Sequence, residues 1–438
     1  MSFAPIAGNA PKMSTRKAVT FATLDVGASK VVCLITRVTP EGGGRGRDKT
    51  VFRRRVLGVG HQKSRGVKAG AVVDLEAVKK SIRLAVDAAE RMAGVEAHSV
   101  LVNITGGRLA AKRGRAEAAL SGRAVTAADV LAVLTGATRK TGEGGRALLH
   151  AVPQTFSIDD TVGVRDPIGM LGDHLGAEAT AVSCDSAVAR NLILAIEHCH
   201  LRATALVASP YAAGLATLAG DEAELGAAIV DFGGGTTSIA VFAGSRLVHV
   251  DAIAMGGNHI TMDVARGLAV SLADAERMKT LHGACLDSPS DEHETVSVHR
   301  LGEDLDVASH VPRADLVRII RPRVEEIMEL VRDRLKSAGF SAQAGRRLVL
   351  TGGASQLTGL PEMARRIVSS QVRPGSPSAI DGLPESARNP SFAVSVGLAM
   401  YPEAAASEFI PGKSGSESAS RPPKSYAQRV GRWIKESF

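Results

Sequence analysis

Aromatic side chains are scarce in this sequence of 438 residues: they make up 3% of it, with one Trp and three Tyr. Proteins that grip single-stranded nucleic acid stack bases on aromatic rings along a basic groove, and the scarcity argues against that class. Cysteine is sparse as well. Cys33, Cys184, Cys199 and Cys285 are scattered with no CxxC pair, which disfavours a disulfide framework and predicts free, mostly buried thiols in a reducing compartment. His198-Cys199-His200 has metal-binding residue types, but neighbours on a helix point about 100° apart and do not converge on one ion. Long apolar runs are missing. No window approaches the roughly 18 uncharged apolar residues of a spanning helix. Residues 1–18 hold no apolar signal-peptide segment. The expectation is a cytoplasmic protein that does not cross a membrane.

What is present suits a globular chain of two or more domains, with 45% hydrophobic and 22% charged residues. The net charge of +8 is uneven: residues 1–150 carry 26 Lys and Arg against 11 Asp and Glu, residues 151–410 carry 21 against 32, and residues 411–438 carry 6 against 2. The cations of the first third are dispersed or lie in short loops such as Arg53-Arg54-Arg55. They read as a solvated basic face, or one turned toward an anionic surface, and not as a nucleic-acid site.

Glycine clusters at strand ends. Val230-Asp231-Phe232-Gly233-Gly234-Gly235-Thr236-Thr237-Ser238 closes an apolar run with an acid, three glycines and three hydroxyls. Some two hundred residues earlier, Leu24-Asp25-Val26-Gly27-Ala28-Ser29-Lys30-Val31-Val32 has the same order. Each reads as strand, tight turn, strand. Bare backbone lets N–H groups approach a polyphosphate, and hydroxyls add donors. Two such hairpins, at the starts of two halves, predict two lobes gripping one ligand. Leu348-Val349-Leu350-Thr351-Gly352-Gly353-Ala354-Ser355 repeats the strand-to-glycine theme. Met255-Gly256-Gly257-Asn258 leads into a helix whose N-terminus is a further candidate phosphate contact. Glu276 and Lys279 share a face of the helix over 271–283, either as a solvated pair or as a contact to the edge of a nucleotide.

The remaining pattern is alternating α/β. Asp74 opens an amphipathic helix, and Thr126 with Asp129 forms a capping box. Residues 100–183 read as a separate α/β module with strands at Leu148–Ile158 and His174–Ser183. Pro210-Tyr211-Ala212-Ala213-Gly214-Leu215 begins a small-residue helix, which is either a close-packing element between lobes or an ordinary Ala-rich helix.

The hairpins around Asp25 to Lys30 and Asp231 to Thr237, with Leu350-Thr351-Gly352-Gly353-Ala354, resemble the two phosphate motifs and the adenosine motif of the actin-like ATPases. Within that superfamily, Leu149 to Asp159, Asp166-Pro167-Ile168-Gly169-Met170-Leu171-Gly172, Ala273-Asp274-Ala275-Glu276 and Asn389 to Leu398 resemble the bacterial FtsA family with its relocated subdomain 1C. The resemblance implies a two-lobed actin-like ATPase fold of class α/β with an inserted α/β subdomain and a C-terminal amphipathic helix. It implies subdomain 1A at 19–99, 184–222 and 380–402, 1C at 100–183, 2A at 223–255 and 342–379, and 2B at 256–341. ATP and Mg2+ would lie in the cleft. Asp25 and Asp231 would reach the magnesium through water, the backbone near Gly27, Ser29, Gly233, Gly234, Gly235 and Thr236 would hold phosphates with Thr237 also among the cofactor-binding residues, and Lys30 would offset their charge. Gly256, Gly257, Glu276, Lys279, Gly352, Gly353 and Ala354 would line the nucleoside. Filament-forming relatives carry a catalytic Glu before the Ala-rich helix; this sequence has Ser209, so weak or no ATPase activity is expected.

After Tyr401 the composition turns to Ala, Ser, Gly, Glu and Pro, predicting a flexible linker at 403–423. In the segment 424–438, Tyr426, Val430, Trp433, Ile434 and Phe438 fall within about 140° of a helical wheel, opposite Arg429, Arg432 and Lys435. That is the pattern of a helix lying in a membrane interface, where each Lys or Arg near an anionic leaflet adds about 1 kcal/mol. A terminal helix docked on the core is the alternative. The FtsA resemblance implies a peripheral protein on the cytoplasmic face of the inner membrane that polymerises, anchors FtsZ and recruits later divisome proteins. Its FtsZ contact would fall in residues 256–341, where Arg313 and Arg323 either meet an acidic peptide tail or are unpartnered surface charges. A pilus-assembly adaptor and a sugar kinase or phosphohydrolase are the competing readings.

Overall fold

The computed structural model of the chain describes residues 10–41, 51–142, 144–302, 309–340 and 347–409. Local signals act where the sequence places them. Asp74 accepts the Ala77 N–H at 3.0 Å and starts the helix Leu75–Ala93, which Gly94 ends in the left-handed region. Thr126 and Asp129 exchange side-chain and backbone bonds to start Ala127–Thr138. Two large sheets follow from the strand patterns.

The first sheet runs in the order Arg202–Ala208, Ser99–Ile104, Val19–Val26, Lys30–Glu41, Val51–Lys63, with the first three strands parallel and the rest antiparallel. Ser99–Ile104, at the head of the segment read as an inserted module, is thus a central strand of this sheet. The second sheet has nine strands in the order Gln371–Pro374, Arg347–Thr351, Ala227–Phe232, Thr237–Ala243, Arg246–Ile253, Ala110–Ala119, His174–Asp185, Arg146–Ile158, Thr161–Val164. The last four belong to the module. They extend the second lobe's sheet through one residue pair, Asp251 with Ala110, and so do not form a sheet of their own. The module keeps its own core, in which Val130, Val133 and Leu134 of its helix meet Phe156 and Leu175.

Period-two alternation divides the strand Ala227–Phe232 between two cores. Ala228, Val230 and Phe232 face the second lobe's helices, while Ile229 faces the first lobe's core. The Ala-rich helix Ser209–Thr217 lies on that inner side, and its small residues are a packing requirement. A Cβ on Gly214 would meet the Phe242 ring at 2.3 Å, and one on Gly397 of the helix Ala393–Ala404 would lie 1.7 Å from the Ala212 carbonyl oxygen. Close packing is therefore the outcome for this helix, bringing it against both its neighbour helix and the second sheet.

The second lobe's outer part holds the helices Gly257–Leu268, Leu272–His282 and Arg313–Ser337 with the hairpin Thr295–Val298 and Ser309–Pro312. The chain departs from the expected linker just after Ala393–Ala404. Residues 405–407 make a 3-10 turn, Glu408 is buried, and Phe409 is 3% exposed within the module's core. The start of the region read as a linker is docked because Phe409 supplies an apolar anchor amid Ala and Ser. The amphipathic segment with Tyr426, Arg429, Val430, Arg432, Trp433, Ile434, Lys435 and Phe438 lies outside the described residues.

Candidate functional site

Both glycine hairpins close in the same way: Gly27 N–H donates to the Lys30 carbonyl at 2.9 Å, and Gly233 N–H donates to the Thr236 carbonyl at 2.9 Å. Their tips face each other across the lobes. A Cβ on Gly234 would lie 2.0 Å from Ser29 Oγ, and one on Gly235 would lie 2.8 Å from the Ala28 Cβ, so bare backbone is what permits the approach.

Asp25 and Asp231 stand at the strand ends, 6% and 8% exposed. Ser395 donates to Asp25 Oδ2 at 2.7 Å, and Ser238 donates to Asp231 Oδ2 at 3.4 Å. Burial raises the Asp25 carboxyl above its ordinary range, against the pull of Ser395 and Lys30. Burial and then repulsion from Asp25 push Asp231 up to about 7. Burial brings Lys30 down to about 8, although both carboxylates oppose it. Lys30 Nζ donates to Ser391 Oγ at 2.7 Å and sits 3.9 Å from the centre of the Phe392 ring. Two mutually repelling carboxylates with one ammonium and opposed backbone loops make a place for a hydrated hard cation carrying phosphate. Among the described residues no group of three or more His, Cys, Asp or Glu converges. Asp25 and Asp231 are the carboxylates nearest the facing hairpin tips.

Gly352 joins this centre. Its φ of 88° is left-handed, and a Cβ there would lie 2.5 Å from Asp231 Oδ1. Gly353 is nearest to Ser391, and Ala354 approaches Gly257. Lys279 Nζ donates to the Gly257 carbonyl at 3.2 Å, to Thr261 Oγ1 at 2.9 Å and to Glu276 at 2.6 Å. The Glu276–Lys279 pair is thus an inter-helix brace. Burial alone would raise the Glu276 carboxyl, but Lys279, Thr261 and Lys63 hold it below the ordinary range.

Two expectations change. The Gly257 and Asn258 amides donate to the Gly233 and Gly234 carbonyls at 2.9 and 2.7 Å, so this helix N-terminus braces the second hairpin and offers those donors to no phosphate. Thr237 is buried and its hydroxyl donates to the Met255 carbonyl at 2.8 Å, so that side chain is engaged within its own lobe. Sequence reasoning also left Asn103, Ser391, Phe392 and Ser395 without a site role. The hydroxyl-bearing run Asn389 to Ser395, which leads into the helix Ala393–Ala404, is the signal that could have found three of them.

The sequence pattern described as "Cell division protein FtsA" matches residues 228–397, and "SHS2 domain inserted in FTSA" matches residues 106–183. Cell division protein FtsA of Rhizobium meliloti (strain 1021) is 46% identical over 430 residues, covering 97% of this chain and 96% of the relative. The chain belongs to the FtsA family of cell-division proteins. FtsA of Escherichia coli (strain K12) is 32% identical over 423 residues, covering 95% of this chain and 97% of its own. A chain of the PilM-PilN type IV pilus biogenesis complex superposes with a TM-score of 0.60 at 16% identity, covering 88% of this chain and 98% of that one. MreB5 of Spiroplasma citri bound to ADP gives 0.52 at 12% identity, covering 89% and 98%. The FtsA architecture here is the actin-like fold with an inserted SHS2 domain.

In this FtsA-family chain the two arginines read either as peptide contacts or as unpartnered surface charges are engaged within the chain. Arg313 pairs with Asp291 at 2.6 Å and donates to the His282 carbonyl, and Arg323 pairs with Asp263 at 2.6 Å and with Glu326. That overturns the reading as unpartnered charges, and an acidic peptide would have to displace partly buried carboxylates to reach either. A nearby cavity of about 530 Å³ is flanked by Arg318 and Arg321, themselves paired with Glu292, Asp315, Asp287 and Glu325. No helix among the described residues is long and apolar enough to cross a membrane.

Proposed function

We propose that this chain binds MgATP between its lobes and acts as a membrane adaptor of division, anchoring FtsZ filaments at the cytoplasmic face of the inner membrane. The observation that carries the nucleotide reading is the meeting of the two glycine hairpins over Asp25, Asp231 and Lys30. Gly27, Ser29, Gly233, Gly234, Gly235 and Thr236 hold the phosphates. Glu276, Lys279, Gly352, Gly353 and Ala354 line the nucleoside. When bound, Mg2+ offsets phosphate charge. Hydrolysis is slow, because the position ahead of the Ala-rich helix is Ser209, buried and bonded to Asn103 and Thr105, where no carboxylate orients water.

Family membership and the basic amphipathic sequence at 424–438 support the anchor. One helix of this length binds anionic lipid weakly, so the protein self-associates and many copies attach together, with later division proteins recruited to the array. FtsZ docks on residues 256–341. Sedimentation with anionic liposomes, MgATP and FtsZ compares the full chain with a 1–420 truncation. The full chain alone carries FtsZ down with lipid; if FtsZ stays in solution with both forms, the adaptor reading fails. A pilus-type adaptor shares the fold but does not need residues 421–438, so equal lipid binding by both forms would favour it.

A further inference from the structure

The geometry points to a buried hydrogen-bond relay that couples the cleft to the root of the C-terminal tether, with residues 403–409 as a releasable strap. The inference rests on the nucleotide reading above. At the cleft end, Val26 N–H donates to Asn103 Oδ1 at 2.7 Å, and Asn103 Nδ2 donates to Ser209 Oγ at 3.1 Å. The preceding residue, Ala208, donates its N–H to His150 Nε2 at 3.0 Å. That bond fixes the tautomer: the ring proton sits on Nδ1, which lies 3.0 Å from Glu408 Oε2. His150 is wholly buried on the module strand Arg146–Ile158. One residue on, Phe409 donates its N–H to the Ala151 carbonyl at 2.8 Å and buries its ring in the module. The series runs from the phosphate hairpin to the last described residue, and residues 410–438 with the amphipathic segment follow it.

Two features make the strap releasable. Glu408 Oε1 is buried with no hydrogen-bond partner, which opposes docking, while the Phe409 ring, the Arg54–Glu403 pair and the bonds of Glu408 Oε2 to His150 and Tyr401 favour it. The same module strand also holds the second lobe, through Gln154 Nε2 donating to the Leu247 carbonyl at 2.9 Å. One strand therefore touches both lobes and the strap, and a change in lobe spacing cannot leave all three attachments in place. The hairpin tips already touch, so a polyphosphate seated between them has to shift them, and a shift of Val26 and Asn103 is passed along the bonds to the far end and strains the Ala208–His150 bond. MgATP therefore loosens the strap, and by linkage loosening the strap tightens MgATP binding by the same factor.

The test uses the full chain. Hydrogen–deuterium exchange of residues 403–409 is followed with and without MgATP, and MgATP affinity is measured by calorimetry for the parent and for Phe409→Ala. The expected result is strap exchange about five- to tenfold faster with MgATP, and affinity raised by a similar factor in the variant. Exchange in Arg313–Ser337 reports that the variant is folded, and the parent measurement stands without it. MgATP that binds while strap exchange stays unchanged or slows overturns the relay and leaves the nucleotide site intact. No MgATP binding by the parent overturns both.

Discussion

Asp231 carries the clearest consequence at the scale of one residue. Its carboxyl is held near pKa 7 by burial and by Asp25, against an ordinary 3.8, so around pH 5 to 6 the folded chain keeps a proton that the unfolded chain has lost. The group's stabilising effect is full below about pH 4 and is lost as pH rises through about 7. Asp231→Asn removes the titration. Without nucleotide, the variant should exceed the parent in unfolding free energy by a few kcal/mol, on the order of the linkage shift, at pH 8, and the gap should narrow toward pH 5. Denaturant unfolding across that range checks it, with a pH-independent gap as the contrary result. The variant should also lose MgATP binding, since an amide does not hold a hydrated cation as a carboxylate does. Asp25, Asp231 and Lys30 were legible in the sequence because an acid two residues ahead of a glycine at a strand end is a local pattern, and Gly352 because an apolar run ends there in glycines. Ser395 and Asn103 were not, since their partners Asp25 and Val26 lie 370 and 77 positions away.

Among elements, those governed by neighbours along the chain were readable: the cap at Asp74, the box at Thr126 and Asp129, and both hairpins. Those governed by distant surfaces were not. The continuation of the second lobe's sheet into the module depends on one pair, Asp251 with Ala110, and the docking of the strap depends on Phe409 joining the module's core. The Ala-rich helix fell between these cases, since composition offered close packing without naming the partner. The partner is Ala393–Ala404, and the contact sets a stability prediction. Gly397→Ala puts a methyl 1.7 Å from the Ala212 carbonyl oxygen, which has to move with its whole helix. The substitution should cost about 1–3 kcal/mol. Gly220→Ala, at a position with nothing within 4 Å, should change stability by less than about 0.5 kcal/mol. The difference in denaturant midpoints between the two variants is the measurement, and equal midpoints would mean that the helices are not packed at this distance.

For the whole molecule, the cleft is the place where two separately built lobes answer to one ligand. One core is shared by the first sheet and the inner face of the second, another lies on the second sheet's outer face, and the module has a third, so thermal unfolding of the chain need not be a single transition. A nucleotide held by hairpins from both sheets binds only when both are folded, and its binding free energy therefore stabilises them together. At a hundred times the dissociation constant that is about 2.7 kcal/mol. For a chain of this size the midpoint should rise by about 3 °C. Hydrogen exchange resolves the lobes: protection should increase in Val19–Val26 and in Ala227–Phe232 by the same factor as MgATP is added, and in neither strand of Asp231→Asn. Were protection to grow in one strand alone, the ligand would be the property of one lobe. The hairpins would then face each other for packing and not to share a polyphosphate.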